Sequence, residues 1–397
     1  MSDGHETPPG WSAEQPPPYQ APGSPYSGPA PSAWQQPASP PPPPPHANPG
    51  YGYPPPGYGY APPPALRPGI IPLRPLRLGD IYDGTIKLIR SNPKAVLGLS
   101  AIVAAVASVP VSIGQALAFR SLGSVLTDPA AADAATLEGG GFLSQTLPTI
   151  ISAVVSLVAV TILTGVLIRI LGRAVFGGKI TAGEAWRLVA PRVPALFGVT
   201  FLIMGIALLP AVPIALIVVA LAAAGSPGAA AGLALLSLLF YICYALAVNA
   251  RFAFAAPAVV LEGLGPVQAL RRSWRLVSGD FWRVLGILLL TMLLAYLVSM
   301  VISFPFGLIA GVVALMGGGS TGATILVAAV FAIGSTLGAM ITYPLQAGVA
   351  GLLYTDRRMR SEAFDLVLQT AALEQQRQGW VHASADDLWH PSNARRP

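Results

Sequence analysis

The chain has 397 residues, of which 53% are apolar and only 10% are charged, and it carries a formal net charge of +6. Soluble domains carry about 25% charged residues, so this composition excludes an ordinary water-soluble globular domain. The basic residues flank long apolar runs instead of forming one basic block, which argues against nucleic acid as a partner and for a lipid bilayer. The sequence therefore predicts an all-α, polytopic membrane helical bundle.

Residues 1–66 are rich in proline, glycine and tyrosine, with an unbroken proline run from Pro40 to Pro45. Proline removes backbone donors and glycine adds backbone freedom, so a packed core cannot form here. We predict a disordered cytoplasmic tail in this range. Two interpretations of the tail remain open, a solvated tether and a docking arm for a protein partner with an aromatic groove.

Six uncharged stretches are long enough to cross a hydrocarbon core of about 30 Å, which needs about 20 helical residues. In chain order they cover residues 95–118, 147–168, 195–221, 229–248, 284–315 and 323–353. Glycine-rich segments at 225–228 and 317–320 separate the third span from the fourth and the fifth from the sixth. We predict that both segments form tight, uncharged hairpins.

The basic residues predict the orientation of the spans. With an even number of spans, both termini and alternate loops lie on one side of the membrane. Every lysine and arginine except Arg120 falls on that side, and the positive-inside rule assigns such a side to the cytoplasm. We therefore predict a multi-pass protein of the cell membrane with both termini cytoplasmic. The predicted domains are the tail at 1–66, a six-helix membrane domain at 67–368 and a polar cytoplasmic C-terminal tail at 369–397.

Three segments that precede the first, third and fifth spans resemble one another. They begin at Lys87, Arg187 and Arg275, continue with two aliphatic residues and a break rich in Pro, Gly or Asn, and lead into a span. A short helix is predicted before each break, and in the second copy Thr181 and Glu184 have capping-box spacing. The membrane domain is thus predicted to consist of three repeats, each an interfacial helix followed by a helical hairpin.

The helix predicted before the fifth span, with Pro266 suited to its first turn, is amphipathic. Its apolar face holds Val267, Leu270, Trp274 and Val277, while its opposite face is mainly basic. Such a helix lies in the headgroup layer, with its arginines near anionic lipid phosphates. Ordinary anchoring of the topology remains an alternative role for each basic residue. The candidate headgroup-binding residues of the three copies are Arg271, Arg272, Arg275, Lys87, Arg90 and Arg187.

The predicted spans contain no Asp, Glu, Lys or His, and all four histidines lie in the terminal tails. Ion-coupled transporters usually bury such groups at mid-membrane, and enzymes need comparable groups in a site. We therefore predict a protein that is not an enzyme, with no metal site and no cofactor. Gln115, Asn249 and Gln346 are polar candidates, either for hydrogen bonds between helices or for lining a path.

Residues 256–263 (APAVVLEG), leading into 269–276 (ALRRSWRL), resemble a family of bacterial, largely actinobacterial, membrane proteins. This family is known as the membrane domain of glycerophosphoryl diester phosphodiesterase, or as a domain of unknown function. Residues 74–84 (RPLRLGDIYDG) and 352–360 (LLYTDRRMR) resemble its start and end, so the resemblance covers about residues 70–368. In the fused relatives a separate soluble barrel performs the catalysis. The resemblance therefore implies membrane architecture and no catalytic residue.

These observations predict a non-catalytic scaffold or accessory domain that engages anionic lipid or partner proteins at the cytoplasmic leaflet. The alternative is a transporter or lipid-translocating protein with a path between the repeats. The two interpretations differ in structure, because a path requires a polar cavity between the spans and a scaffold does not.

Overall fold

The structure is a computed structural model that describes residues 69–127, 140–317, 320–378 and 388–390. In these ranges the chain forms twelve α-helices and one short 3₁₀ turn, with no β-strand. The all-α architecture predicted from the sequence is therefore confirmed. The predicted tail at 1–66 and the middle of the hairpin at 317–320 lie outside the described residues.

Six segments of the structure are long and apolar enough to cross a membrane, which confirms the six predicted spans. The chain is an integral, multi-pass membrane protein. The spanning helices are α2 (Pro93–Thr127), α3 (Gly140–Ala174), α5 (Val193–Leu208) followed by α6 (Ala211–Ala223), α7 (Pro227–Phe252), α10 (Phe281–Met316) and α11 (Thr321–Glu362).

The third span is two helices rather than the single run predicted at 195–221. The break falls at Leu209 and Pro210, between α5 and α6. Proline lacks the N–H that a continuous helix needs, yet Pro110 and Pro305 remain inside α2 and α10. The difference follows from packing, because α2 and α10 pack along α11 whereas no residue of α6 is buried.

Five shorter helices complete the fold, and three of them directly precede a span. The five are α1 (Leu78–Ser91), α4 (Ala182–Val189), α8 (Ala255–Glu262), α9 (Pro266–Ser278) and α12 (Phe364–Gln378). The capping box predicted for α4 is confirmed, because the Glu184 N–H donates to Thr181 Oγ1 at 3.3 Å and Glu184 Oε2 accepts from the Thr181 N–H at 2.9 Å. Pro266 opens α9, as the sequence predicts.

The main buried core lies at one end of the bundle, here called the basic end, where α1, α4, α8, α9 and the last turns of α11 meet. Helix α8 is buried along nearly its whole length and packs against α3 and α9. Away from this end the spans carry exposed apolar side chains such as Leu209 (75% exposed) and Leu315 (74% exposed). Such surfaces suit contact with lipid, whose tails are as apolar as leucine.

Small residues let α11 approach its neighbours closely. A Cβ added at Gly348 would lie 2.6 Å from Thr85 Cγ2 of α1. A Cβ added at Gly351 would lie 3.1 Å from Leu171 Cδ1 of α3. The backbone of α11 is therefore in direct contact with both helices at the basic end.

Two described segments, 369–378 and 388–390, lie within the range predicted as a polar C-terminal tail. The predicted domain boundary at residue 368 falls inside α12, whose Phe364 and Leu368 are fully buried. Further on, Trp389 is only 1% exposed. Its indole ring lies 6.0 Å from the ring of Phe176 and 5.2 Å from that of Phe364, centroid to centroid. Trp389 therefore belongs to the folded core.

Candidate functional site

A group of buried ion pairs, here called the ionic cluster, lies where α8, α9, α10 and α11 meet at the basic end. Its first part is centred on Asp356 of α11, whose side chain is fully buried. Asp356 Oδ2 pairs with Arg283 Nη1 at 2.5 Å, and Oδ1 accepts from Arg360 Nε at 3.0 Å. The same Oδ1 accepts the backbone N–H of Leu76 at 2.7 Å. One carboxylate thus links α10, α11 and the segment before α1.

Leu76 is held on its carbonyl side as well. Its carbonyl oxygen accepts from Arg283 Nη2 and from Arg360 Nη2, both at 2.9 Å. Nearby, Arg357 of α11 donates to the carbonyl of Leu276 at 3.0 Å and pairs with Asp280. These contacts satisfy backbone groups of the segment before α1 and of the last turn of α9.

The second part of the ionic cluster is centred on Glu262, the last residue of α8. Arg272 of α9 donates to it through Nε at 3.0 Å and Nη2 at 2.9 Å. The Tyr354 hydroxyl also donates to Glu262. Arg272 and Arg358 both pair with Glu362, so two arginines share two glutamates. Arginine suits this role, because its planar fork binds a carboxylate with two hydrogen bonds.

Arg358 is the most deeply buried cation among the residues that the structure describes, with a fully buried side chain. Its Nη1 donates to the backbone carbonyl of Trp389 at 3.1 Å, and its guanidinium carbon lies 4.2 Å from the ring centroid of Phe364. A cation over an aromatic face is stabilised by the ring quadrupole. Arg358 therefore connects the ionic cluster to the C-terminal segment.

Carboxylates keep Arg272 charged despite its burial. Burial by itself would lower the pKa of Arg272, but hydrogen bonds to Glu362 and Glu262 raise this pKa above its ordinary value. Removing one partner of such a buried pair leaves an uncompensated charge, which is strongly destabilising. The ionic cluster is thus a structural element in which each acid is held by at least one arginine.

The arginines of α9 that the sequence identifies as headgroup candidates divide into two groups. Arg272 points into the ionic cluster, and its side chain is only 13% exposed. Arg271 and Arg275 are exposed and lie four residues apart, so they are neighbours on the helix surface. The structure leaves these two available at the surface and gives Arg272 other partners.

Arg271 and Arg275 line an open apolar groove, here called the α9 groove. Its volume is about 640 Å³, and its other lining residues are Phe252, Val267, Leu270 and Trp274. The Trp274 ring lies 5.9 Å from the Phe252 ring. The guanidinium carbon of Arg251 lies over the Trp274 ring, 4.5 Å from the ring centroid.

The candidates of the first repeat, Lys87 and Arg90, line a smaller groove of about 360 Å³ together with Lys179. Lys87 is also paired with Asp83, at 2.7 Å from Nζ to Oδ2. Lys179 is not among the candidates from the sequence, although the carbonyl of its neighbour Ile180 accepts a hydrogen bond from Asn92 Nδ2 in the break of the first repeat, at 2.6 Å. Arg187, the candidate of the second repeat, is exposed on α4 and does not line this groove.

Gln115, Asn249 and Gln346, the polar candidates for a path, are all exposed. They line neither of the two grooves. Hydroxyl groups make hydrogen bonds between spans instead, for example Ser108 with Thr336 at 2.8 Å. The alternative of a transport path therefore stays a prediction.

Within the ranges that the structure describes, no three His, Cys, Asp or Glu side chains are grouped as a metal site would require. His390 is the one histidine in those ranges. These observations do not test catalysis. The predictions that the chain is not an enzyme and binds no cofactor therefore stay predictions.

Comparison with known families identifies the region that contains the ionic cluster. Residues 229–374 match the family model of the membrane domain of glycerophosphoryl diester phosphodiesterase. The match confirms the resemblance seen at 256–276 and 352–360, and the segment 74–84 lies outside the matched residues. The matched residues contain every charged residue of the ionic cluster. No curated protein and no solved structure matches the chain.

The sequence did not identify Glu262, Asp356 and Glu362 as partners of the arginines. One signal was present, since Asp356 and Arg360, and likewise Arg358 and Glu362, are spaced four residues apart. Opposite charges at this spacing attract on one helix face. The remaining partners are far apart in the chain, and no local pattern connects them.

Proposed function

We propose that the chain is a non-catalytic membrane domain of the cell membrane whose basic end lies at the cytoplasmic leaflet and engages anionic lipid headgroups. The concentration of basic residues at this end supports the orientation through the positive-inside rule. In this orientation α1, α4 and α9 lie in the headgroup layer, and both termini are cytoplasmic.

The division of the α9 arginines is the observation that carries the proposal. Arg272 is used inside the fold, where Glu262 and Glu362 neutralise its charge. Arg271 and Arg275 keep exposed charges on the same helix. Each basic residue near an anionic surface contributes about 1 kcal/mol of attraction at moderate salt. The exposed Trp274 supports the same placement, because tryptophan is enriched at membrane interfaces.

A non-catalytic role agrees with the ion pairs that the buried acids form. Glu262, Asp356 and Glu362 are each paired with arginine. Acids held in this way serve as structural counter-charges, whereas a general acid or base must reach a substrate proton. The matched family region likewise corresponds to the membrane part of a phosphodiesterase.

The proposal is tested by lipid-dependent stability. The full-length chain in detergent is heated with dioctanoylphosphatidylglycerol or with dioctanoylphosphatidylcholine. A lipid that binds the folded state raises its stability by mass action. We expect the anionic lipid to raise the unfolding temperature more than the zwitterionic one, and the difference to shrink at high salt.

A charge variant and a control make the test specific. The variant replaces five candidates with glutamine and removes the preference for the anionic lipid; they are the half-buried Lys87 and the exposed Arg90, Arg187, Arg271 and Arg275. The control Arg377→Gln removes an exposed charge from α12 and leaves the preference intact. Equal shifts with the two lipids in the unmodified chain would refute the proposal, as would an unchanged preference in the five-site variant.

A further inference from the structure

We propose that the α9 groove is a binding site for one anionic phospholipid, with the phosphate at Arg271 and Arg275 and an acyl chain along the apolar wall. This inference rests on the proposed function, because it requires the basic end to meet an anionic leaflet. It adds a specific site, a stoichiometry and a preferred class of lipid.

The dimensions and lining of the groove suit an acyl chain. Its volume of about 640 Å³ lies within the range of about 300–1,000 Å³ typical of small-molecule sites. Phe252, Val267, Leu270 and Trp274 give it an almost wholly apolar wall. Val267 is 53% exposed and Trp274 is 49% exposed. Contact with a lipid chain would cover this apolar surface.

The depth of the groove in the membrane suits a glycerophosphate group. Phe252 is the last residue of the spanning helix α7, and Phe281 is the first residue of the spanning helix α10. The Arg251 guanidinium lies near the rings of both Trp274 and Phe281, at 4.5 and 4.7 Å from their centroids. The groove therefore lies where two spans end, at the level of the lipid headgroups.

The charge at the rim selects an anionic lipid. Arg271 and Arg275 are neighbours one helical turn apart, and guanidinium groups bind phosphate oxygens through paired hydrogen bonds. Arg251 adds a third cation beside the same indole ring. A zwitterionic lipid would bring its own cation towards these three, whereas phosphatidylglycerol would not.

The wall of the groove is held in place before a ligand arrives. Arg251 Nη1 donates to Ser278 Oγ at 3.1 Å, and Ser273 Oγ donates to the carbonyl of Arg251 at 2.8 Å. These bonds fix α9 against the end of α7. Because an ordered site has less conformational entropy to lose, preorganisation favours binding.

Native mass spectrometry of the full-length, delipidated chain tests the site. The protein in detergent is titrated with dioleoylphosphatidylglycerol, or with dioleoylphosphatidylcholine in a parallel series, and bound lipids are counted. We expect one phosphatidylglycerol molecule to bind before any other. The double variant R271Q/R275Q should weaken this first binding step by about thirtyfold, since each surface arginine contributes about a factor of five.

A variant that fills the groove without changing its charge distinguishes binding at this site from general electrostatic attraction to the basic end. Val267→Trp occupies the apolar wall and should abolish the first binding step. Leu366→Trp on α12 and Arg377→Gln are the matched controls for size and charge, and both should bind like the unmodified chain. A second chain in the groove would appear as a dimer mass and would overturn the inference.

The outcomes distinguish the site from the function on which it rests. If Val267→Trp binds phosphatidylglycerol like the unmodified chain, the groove is not the site, and headgroup attraction alone survives. If R271Q/R275Q also binds like the unmodified chain, both the site and the proposed function fail. Equal binding of phosphatidylcholine at the first step would overturn the lipid preference.

Discussion

Asp356 accepts a 2.7 Å hydrogen bond from the backbone N–H of Leu76, which lies 280 residues earlier in the chain. Leu76 precedes the part of the chain that matches the phosphodiesterase membrane domain, whereas Asp356 lies within it. The carbonyl of Leu76 is held by Arg283 and Arg360 of that same part. The segment before α1 is therefore an integral part of the fold at the basic end.

The first prediction concerns the stability provided by Asp356. Asp356→Asn removes the negative charge between Arg283 and Arg360 and should lower the free energy of unfolding by about 3 kcal/mol, because breaking a buried pair leaves a charge uncompensated. SDS titration in mixed micelles measures this. Asp83→Asn removes a carboxylate from an exposed pair with Lys87 and should cost less than about 1 kcal/mol. Equal effects of the two variants would contradict the structural role of Asp356.

The second prediction compares two adjacent arginines of α9. Arg272→Gln removes one of the two arginines that Glu262 and Glu362 share and should destabilise the protein by about 3 kcal/mol. Arg271→Gln changes an exposed side chain and should alter stability by no more than about 0.5 kcal/mol. Thermal unfolding in lipid-free detergent compares them directly. If Arg271→Gln were the more destabilising, the assignment of roles along α9 would be reversed.

The spans and the short helices were predictable because their signals are local. Long uncharged runs indicate membrane helices, and the spacing of Thr181 and Glu184 indicates a helix start. The break at Pro210 was not predictable from the residue alone, since Pro110 lies inside a continuous helix. Packing against α11 decides between the two outcomes, and packing is not visible in a single stretch of sequence.

The pairing within the ionic cluster was not predictable for a related reason. Arg271, Arg272 and Arg275 all appear as basic residues on one helix, and only the fold places Glu262 beside the middle one. The continuation of helix α12 beyond residue 368 was predictable from the sequence. Phe364, Leu368 and Ala372 are spaced four residues apart, which indicates a helix with one apolar face. Trp389 had no such pattern, since its partners Phe176 and Phe364 are distant in sequence.

The third prediction concerns the C-terminal segment. Trp389→Ala removes a buried indole from between Phe176 and Phe364 and should lower the free energy of unfolding by about 3–5 kcal/mol. Trp282→Ala is the control, because Trp282 is 80% exposed and packs little of its surface. Chemical unfolding in micelles gives both values. A negligible effect of Trp389→Ala would show that the segment is not part of the core.

The fourth prediction uses two glycines of α11 with opposite surroundings. Gly348→Ala places a methyl group 2.6 Å from Thr85 Cγ2, and the resulting overpacking should cost about 1–3 kcal/mol. Gly322→Ala meets nothing within 4 Å and should stabilise the helix by about 0.5–1 kcal/mol, because alanine loses less backbone entropy on folding. If the two variants shifted the unfolding temperature in the same direction, that result would contradict the close contact of α1 and α11.

The orientation of the basic end is tested most directly by cysteine labelling in intact cells. In a Cys243→Ser background, Ser226→Cys places a thiol in the turn between α6 and α7, and Arg377→Cys places one on α12. With a membrane-impermeant maleimide, we expect the first variant to be labelled in intact cells and the second only after permeabilisation. Labelling of Arg377→Cys in intact cells would contradict a cytoplasmic position of the basic end.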